Sequence, residues 1–187
     1  YVMDLHAMSL PAMPIILMRP AKDRNTWAKA RKMAEAFGFT IVFEKYPLFR
    51  GLASALMDYG IPAIVPELTG HGPISLPLVR CGVRGILNVM KTLNMLEGKP
   101  EPQEGIKYIP GIHLSLKGQM IRTSRGGILH LLKEPGERIS AGELIARIVD
   151  PYGNVLEEIT MPADGYMASG GGSYVGFSAV APGDSVA

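Results

Sequence analysis

Tyr1-Val2-Met3-Asp4-Leu5-His6 opens the chain with an apolar run that ends in Asp-x-His. The run predicts a buried strand over Val2–Leu5 with a turn immediately after it. A histidine in that place sits at the carboxyl end of a strand, where open α/β sheets gather their functional side chains. A second strand-like run, Ile61-Pro62-Ala63-Ile64-Val65-Pro66, delivers Glu67 in the same way. A histidine and a carboxylate at two strand ends suggest a metal ligand and a general base. The chain also begins without a methionine, inside a strand, so it is expected to be a fragment.

Working outward, strand and helix patterns alternate. Pro14–Met18 predicts a second strand. Asn25 or Thr26 can cap a helix that runs to Phe37 and stops at Gly38, with Trp27, Ala30, Met33, Ala34 and Phe37 on one face. Phe39–Phe43 is strand-like, Leu52–Tyr59 is a short helix, and Ile61–Val65 is the next strand. Leu78–Leu96 predicts a longer helix with Val79, Val83, Ile86, Leu87, Met90 and Leu93 on its apolar face. The alternation predicts an α/β fold with a mainly parallel sheet covered by helices.

The composition changes near Gly98. Lys99-Pro100-Glu101-Pro102-Gln103-Glu104-Gly105 is polar and proline-rich and reads as a linker. The expected division is an α/β portion over 1–98, a linker over 99–107 and a β-rich portion over 108–187. In the last, short strands around 119–123, 127–132, 143–149 and 156–160 alternate with glycine turns, which predicts a small all-β barrel or sandwich. Pro135-Gly136-Glu137-Arg138-Ile139 resembles Pro182-Gly183-Asp184-Ser185-Val186. The second copy stops where the first continues into a strand, so the carboxyl end is expected to be cut short as well.

The 187 residues allow one large domain or two small ones. With 19 basic and 17 acidic residues, a net charge of +2 and no basic run, the chain gives no case for nucleic acid. No apolar stretch is long enough to span a bilayer, so no membrane role is expected. Cys81 is the single cysteine and can form no internal disulfide, which fits a reducing, cytoplasmic compartment.

His6 is the candidate metal ligand, since a neutral imidazole binds zinc well and a nearby carboxylate often fixes its tautomer. Asp4 points to the same strand face and could orient the ring. The alternative is a histidine that hydrogen-bonds at a strand end. Glu67 is the candidate general base, because a carboxylate directly after an apolar strand is costly to bury without a use or a partner. A capping or salt-bridged glutamate is the competing reading. His71 lies four residues on in a glycine-proline loop, where it could face the site, although loop histidines are more often solvated. Arg19, Arg50, Arg80 and Arg84 could grip a substrate carboxylate, and Arg50, before Gly51 at a helix start, could lie in a loop near the cleft, although each is more often a surface or packing arginine. His113, His130, Cys81 and Asn88 read as packing, structural or solvated groups.

Val2-Met3-Asp4-Leu5-His6, Ile61-Pro62-Ala63-Ile64-Val65-Pro66-Glu67-Leu68 and Val83-Arg84-Gly85-Ile86-Leu87-Asn88-Val89-Met90 resemble the succinylglutamate desuccinylase/aspartoacylase family. Gly126-Gly127-Ile128, the Pro135–Leu144 turn and Met161-Pro162-Ala163-Asp164-Gly165-Tyr166 resemble the family's appended β-domain. The resemblance covers nearly the whole chain. It implies a zinc-carboxypeptidase-like catalytic portion, zinc as cofactor, His6 as the third protein ligand and Glu67 as the base. The implied reaction is hydrolytic removal of a small acyl group from an N-acyl amino acid. The family takes its first two zinc ligands from an upstream His-x-x-Glu, and no His-x-x-Glu occurs in these residues. The chain by itself is therefore expected to bind zinc poorly and to be inactive. Exposed strand edges left at both ends would let copies pair as a homo-oligomer.

Three alternatives stand beside this reading. The carboxyl half also resembles biotinyl and lipoyl carrier modules, but Glu157-Glu158-Ile159-Thr160-Met161 offers no lysine for attachment. A structural protein that kept the fold and lost the chemistry is the second. A metallo-carboxypeptidase acting on peptides is the third, by analogy of fold alone.

Overall fold

The structure, a computed structural model, describes residues 1–7, 12–44, 51–68, 75–110, 112–114, 120–170 and 177–186. The chain divides into two compact units. One comprises Tyr1–Ala7, Pro14–Leu68 and Pro73–Leu114, and the other Met8–Met13, Thr69–Gly72 and Ser115–Ala187.

The first unit is α/β. Its elements are β1 (Val2–Met3), β2 (Ile15–Met18), α1 (Arg24–Phe37), β3 (Thr40–Glu44), α2 (Leu52–Asp58), β4 (Ala63–Glu67), α3 (Leu76–Thr92) and β5 (Ile112–Leu114). The sheet order is β1-β4-β2-β3-β5. β1–β4, β2–β3 and β3–β5 are parallel, and β2–β4 is antiparallel. The mainly parallel sheet thus carries one reversal at its centre. β5 belongs here, paired to β3, although its residues fall in the segment that the sequence assigns to the β-rich portion.

Helix α1 starts at Asp23, not at Asn25 or Thr26. The Asp23 carboxylate accepts the Thr26 N–H and the Thr26 hydroxyl, both at 2.7 Å, a cap of the kind worth about 1 kcal/mol. Gly38 ends the helix at φ 87°, a conformation that favours glycine. The face bearing Ala30, Met33, Ala34 and Phe37 packs into the core with Ile16, Met18, Phe39, Ile64 and Val89.

Helix α3 departs from the sequence reading. Its buried residues are Cys81, Gly82, Gly85, Asn88 and Val89, whereas Val79, Val83 and Leu87 are exposed. Ile86 and Leu93, at the edge of the expected face, do pack against the core. The reason is close approach. A Cβ on Gly85 would stand 2.5 Å from the Phe37 ring, and one on Gly82 would stand 3.2 Å from Leu68. The helix turns its smallest side chains inward so that its backbone can approach α1.

The proline-rich run after α3 is fixed to this unit. Asn88 exchanges two hydrogen bonds with the Glu101 backbone, at 2.7 and 2.8 Å. Gln103 donates to the Phe37 and Cys81 carbonyls. Thr40 donates to the Lys107 carbonyl and accepts the Ile109 N–H.

The second unit contains β6 (Gly127–Leu131), β7 (Arg138–Ile139), β8 (Leu144–Val149), β9 (Val155–Thr160), β10 (Gly165–Tyr166) and β11 (Phe177–Val180). An antiparallel sheet runs β11-β6-β8-β9, and β10 pairs with β7. Leu129, Ile139, Ile145, Ile148 and Val186 form its core. The two copies of the sequence repeat make the same turn. Gly136 and Gly183 take φ 87° and 92°, and the Glu137 and Asp184 carboxylates each accept the N–H three residues back, at 3.0 and 2.8 Å. Ser140–Glu143 repeats the device, with Gly142 at φ 81° and the Ser140 N–H on Glu143 at 3.0 Å.

Candidate functional site

β1 and β4 run side by side in parallel, with Val2 opposite Ala63 and Met3 opposite Ile64. The same register sets His6 opposite Glu67. His6 donates its N–H to the Pro66 carbonyl at 2.9 Å and accepts the Leu68 N–H at 2.7 Å. Pairing breaks between Met3 and His6 because Pro66 has no N–H to give to β1. The histidine therefore sits on a single bridge just past the regular strand.

Paired residues point to one face of a sheet, and side chains alternate along a strand. Asp4, His6 and Glu67 thus share a face. The Asp4 Oδ1 lies 3.2 Å from the His6 Nε2, close enough for the carboxylate to influence how the ring is set. His6 is about half exposed and Asp4 much less so, while Glu67 is buried at 8%. On its other side Glu67 faces Ile15 of β2. The arrangement combines a sheltered carboxylate, an accessible imidazole and a carboxylate that orients the imidazole.

The other candidates fall elsewhere. Arg50 and His71 lie outside the described residues. Arg19 follows β2, which runs antiparallel to β4, so it sits at the sheet end opposite Glu67. Arg84 pairs with Glu104 at 3.0 Å and donates to the Pro102 carbonyl. Arg80 is exposed on α3. His130 lies within β6 of the second unit, opposite Arg147. Cys81 is buried, with its thiol on the Glu104 carbonyl at 3.6 Å. Sequence reading missed Ile15 as the neighbour of Glu67, because nothing in a short apolar run states which way its strand will point.

Some carboxyls away from this face are held below their ordinary range. The Thr123 and Ser124 side chains and the Ser124 and Arg125 N–H groups hold the Glu157 carboxyl low, against the upward push of its burial. Lys133 holds the Glu143 carboxyl low and is itself raised by Glu143. These groups tie segments of the second unit together.

A catalytic zinc takes three protein donors. Among the described residues no group of three or more His, Cys, Asp or Glu side chains comes together. One imidazole beside one carboxylate does not by itself fit that ion. Among the described residues, too, no helix is long and apolar enough to cross a membrane.

No family model matches the chain, and no curated protein matches it by sequence. Solved structures do. A succinylglutamate desuccinylase/aspartoacylase from Rhodobacter sphaeroides is 27% identical with a TM-score of 0.81, over 99% of this chain and 56% of that one. The product-bound ectoine utilization protein EutE (DoeB) from Ruegeria pomeroyi is 19% identical with a TM-score of 0.83, over 98% and 56%. A succinylglutamate desuccinylase from Silicibacter sp. TM1040 is 19% identical with a TM-score of 0.79, over 98% and 55%. At 19% identity the likeness is one of fold. The chain spans little more than half the length of each of these proteins. Over nearly all of its own length it is structurally similar to the succinylglutamate desuccinylase/aspartoacylase family.

Proposed function

We propose that this chain carries the base-bearing part of a deacylase site that hydrolyses the amide of a small N-acyl amino acid. One observation supports the reading above the rest: His6, just past β1, stands opposite Glu67 of β4 across a parallel bridge, on the same face. The names of the structural neighbours support the substrate class, a short acyl group on an amino acid.

In this reading Glu67 accepts a proton from the attacking water and returns it to the leaving amine nitrogen, so the carboxylate is regenerated after each cycle. Its shelter from solvent favours proton transfer to substrate atoms over exchange with bulk water. His6, with Asp4 3.2 Å from its Nε2, stands on the same sheet face as Glu67. The zinc that the resemblance implies would draw only His6 from the described residues and would need two further protein donors. The chain alone is expected to show no turnover.

The test is a chimera that joins this chain to the part of the Rhodobacter relative that it does not cover. Acyl release is measured on N-succinylglutamate, N-acetylaspartate and related amides. We expect turnover in the chimera, none in the chain alone, and a loss of about 10²–10⁴-fold in kcat for Glu67→Gln. Turnover unchanged by Glu67→Gln would remove the proposed base.

A further inference from the structure

Pro66 stands where sheets seldom carry proline. It lies on an inner strand of the order β1-β4-β2-β3-β5 and is buried with the rest of β4, whereas proline in sheets keeps to edge strands, strand starts and bulges. Its effect falls on one side only. Pro66 turns its carbonyl to β1, where it accepts the His6 N–H at 2.9 Å. The backbone groups of one strand residue point to the same side, so the missing N–H faces β1 too. Bonds to β2 fall to Val65 and Glu67, opposite Leu17 and Ile15, and lose nothing.

The ladder identifies the acceptor that goes without. Val2, Asp4 and His6 donate in turn to the carbonyls of Pro62, Ile64 and Pro66, at 2.9, 3.0 and 2.9 Å, and the Leu68 N–H returns to the His6 carbonyl at 2.7 Å. At the same spacing an N–H at position 66 would return to the Asp4 carbonyl, and proline has none. That one absent rung removes two pairings together, Asp4 with Val65 and Leu5 with Pro66. Pairing accordingly runs as far as Met3 with Ile64, lapses, and resumes at His6 with Glu67. A carbon facing a carbonyl oxygen rests at about 3.3–3.6 Å, against about 2.9 Å for a ladder bond.

We infer that Pro66 is a positioning residue of the site: by withholding this rung it holds the peptide after Asp4 off β4 and so sets Asp4 and His6 relative to Glu67. The inference rests on the reading of this face as a deacylase site. Pro66 acts through the backbone of β1, not on substrate. The rule of sheet construction is broken only between Asp4 and His6, where the proposed chemistry lies, and functional sites are where such rules give way.

The test restores the rung. Pro66→Ala and Pro66→Val each supply an N–H, and valine also suits a strand. A third form carries N-methylalanine at position 66, which keeps a carbon in place of the N–H; it is assembled by ligation at Cys81, the one cysteine. Circular dichroism melts verify the folding of each. In the full chain, NMR at one fixed pH reads the coupling across a hydrogen bond from the residue 66 nitrogen to the Asp4 carbonyl carbon, together with the His6 imidazole signals. We expect the coupling and displaced His6 signals in the alanine and valine forms, and the parent's signals in the N-methylalanine form. No coupling in either variant, His6 signals indifferent to it, or an N-methylalanine form that behaves like alanine overturns the inference. Turnover is read in the chimera with the Rhodobacter relative. There Pro66→Ala should lower kcat about tenfold and leave KM unchanged, since a small misplacement of reacting groups costs rate and not binding. If Glu67→Gln abolishes turnover while Pro66→Ala leaves kcat intact, the positioning role fails and the deacylase reading survives. If turnover survives Glu67→Gln, the deacylase reading fails and the positioning role falls with it.

Discussion

Gly85→Ala tests which face of α3 meets the core. The added Cβ would stand 2.5–2.6 Å from three carbons of the Phe37 ring, where carbon atoms normally keep about 3.5–4.0 Å. Phe37 cannot easily yield. It is fully buried and set edge-on to Phe39 with ring centroids 4.9 Å apart. Overpacking of this kind costs about 1–3 kcal/mol, and a clash with three ring atoms belongs at the top of that range. Alanine in place of glycine returns about 1 kcal/mol of helix propensity. The net expectation is a loss of about 2 kcal/mol. Urea unfolding followed by the fluorescence of Trp27, the one tryptophan, reads this unit directly, because Trp27 stacks with Phe43 inside it. Val83→Ala, on the exposed face, should change stability by no more than about 0.5 kcal/mol. Phe37→Leu should relieve part of the Gly85→Ala loss, with the pair coupled by about 1 kcal/mol or more. The opposite pattern, with Gly85→Ala stabilising and Val83→Ala costing about 2 kcal/mol, would show that the amphipathic stripe faces inward and that the packing argument fails.

Other expectations follow from single contacts. Gln103→Ala removes two donated hydrogen bonds to the Phe37 and Cys81 carbonyls and should cost about 1–3 kcal/mol in the same assay; no change would mean that water replaces the amide without loss. Asp4→Ala removes the carboxylate 3.2 Å from the His6 Nε2 and should change the imidazole ¹⁵N shifts; identical shifts would show that the contact does not order the ring. Asp23, Glu101, Glu143, Asp150 and Glu157 all have carboxyls held below their ordinary range by hydrogen bonds or cations. Their unfolded forms therefore bind protons first, so the stability they add is complete at neutral pH and is lost as pH falls below about 4. The urea midpoint should fall there, and a midpoint constant from pH 6 to pH 3 would contradict that set of contacts.

The pairs of strand and helix in the first unit were legible because their apolar periods and glycine stops are local signals. Gly38 at the end of α1 is the clearest case. The closeness of His6 and Glu67 was legible only as two strand ends of one type, since the register that joins them depends on parallel pairing across the sheet. The reversal of β2 was not legible, as an apolar run such as Ile15–Met18 reads the same in either direction. The orientation of α3 misled for a physical reason: hydrophobic periodicity finds large apolar side chains, whereas this helix is seated by glycines and leaves the large ones outside. The Pro-Gly-acid repeat was visible as sequence, but the carboxylate that closes each turn on the N–H three residues back emerges only with coordinates.

The account stands or falls on His6 and Glu67 forming one chemical centre. The most direct measurement is a zinc titration of the chain watched by NMR, reading the His6 imidazole nitrogens and the Glu67 carboxyl carbon together. The account predicts that both signals move along one weak binding curve, with a ring nitrogen of His6 shifting most and His130 unmoved. A response at His130 without His6, or a His6 shift that leaves the Glu67 carboxyl unchanged, would contradict it.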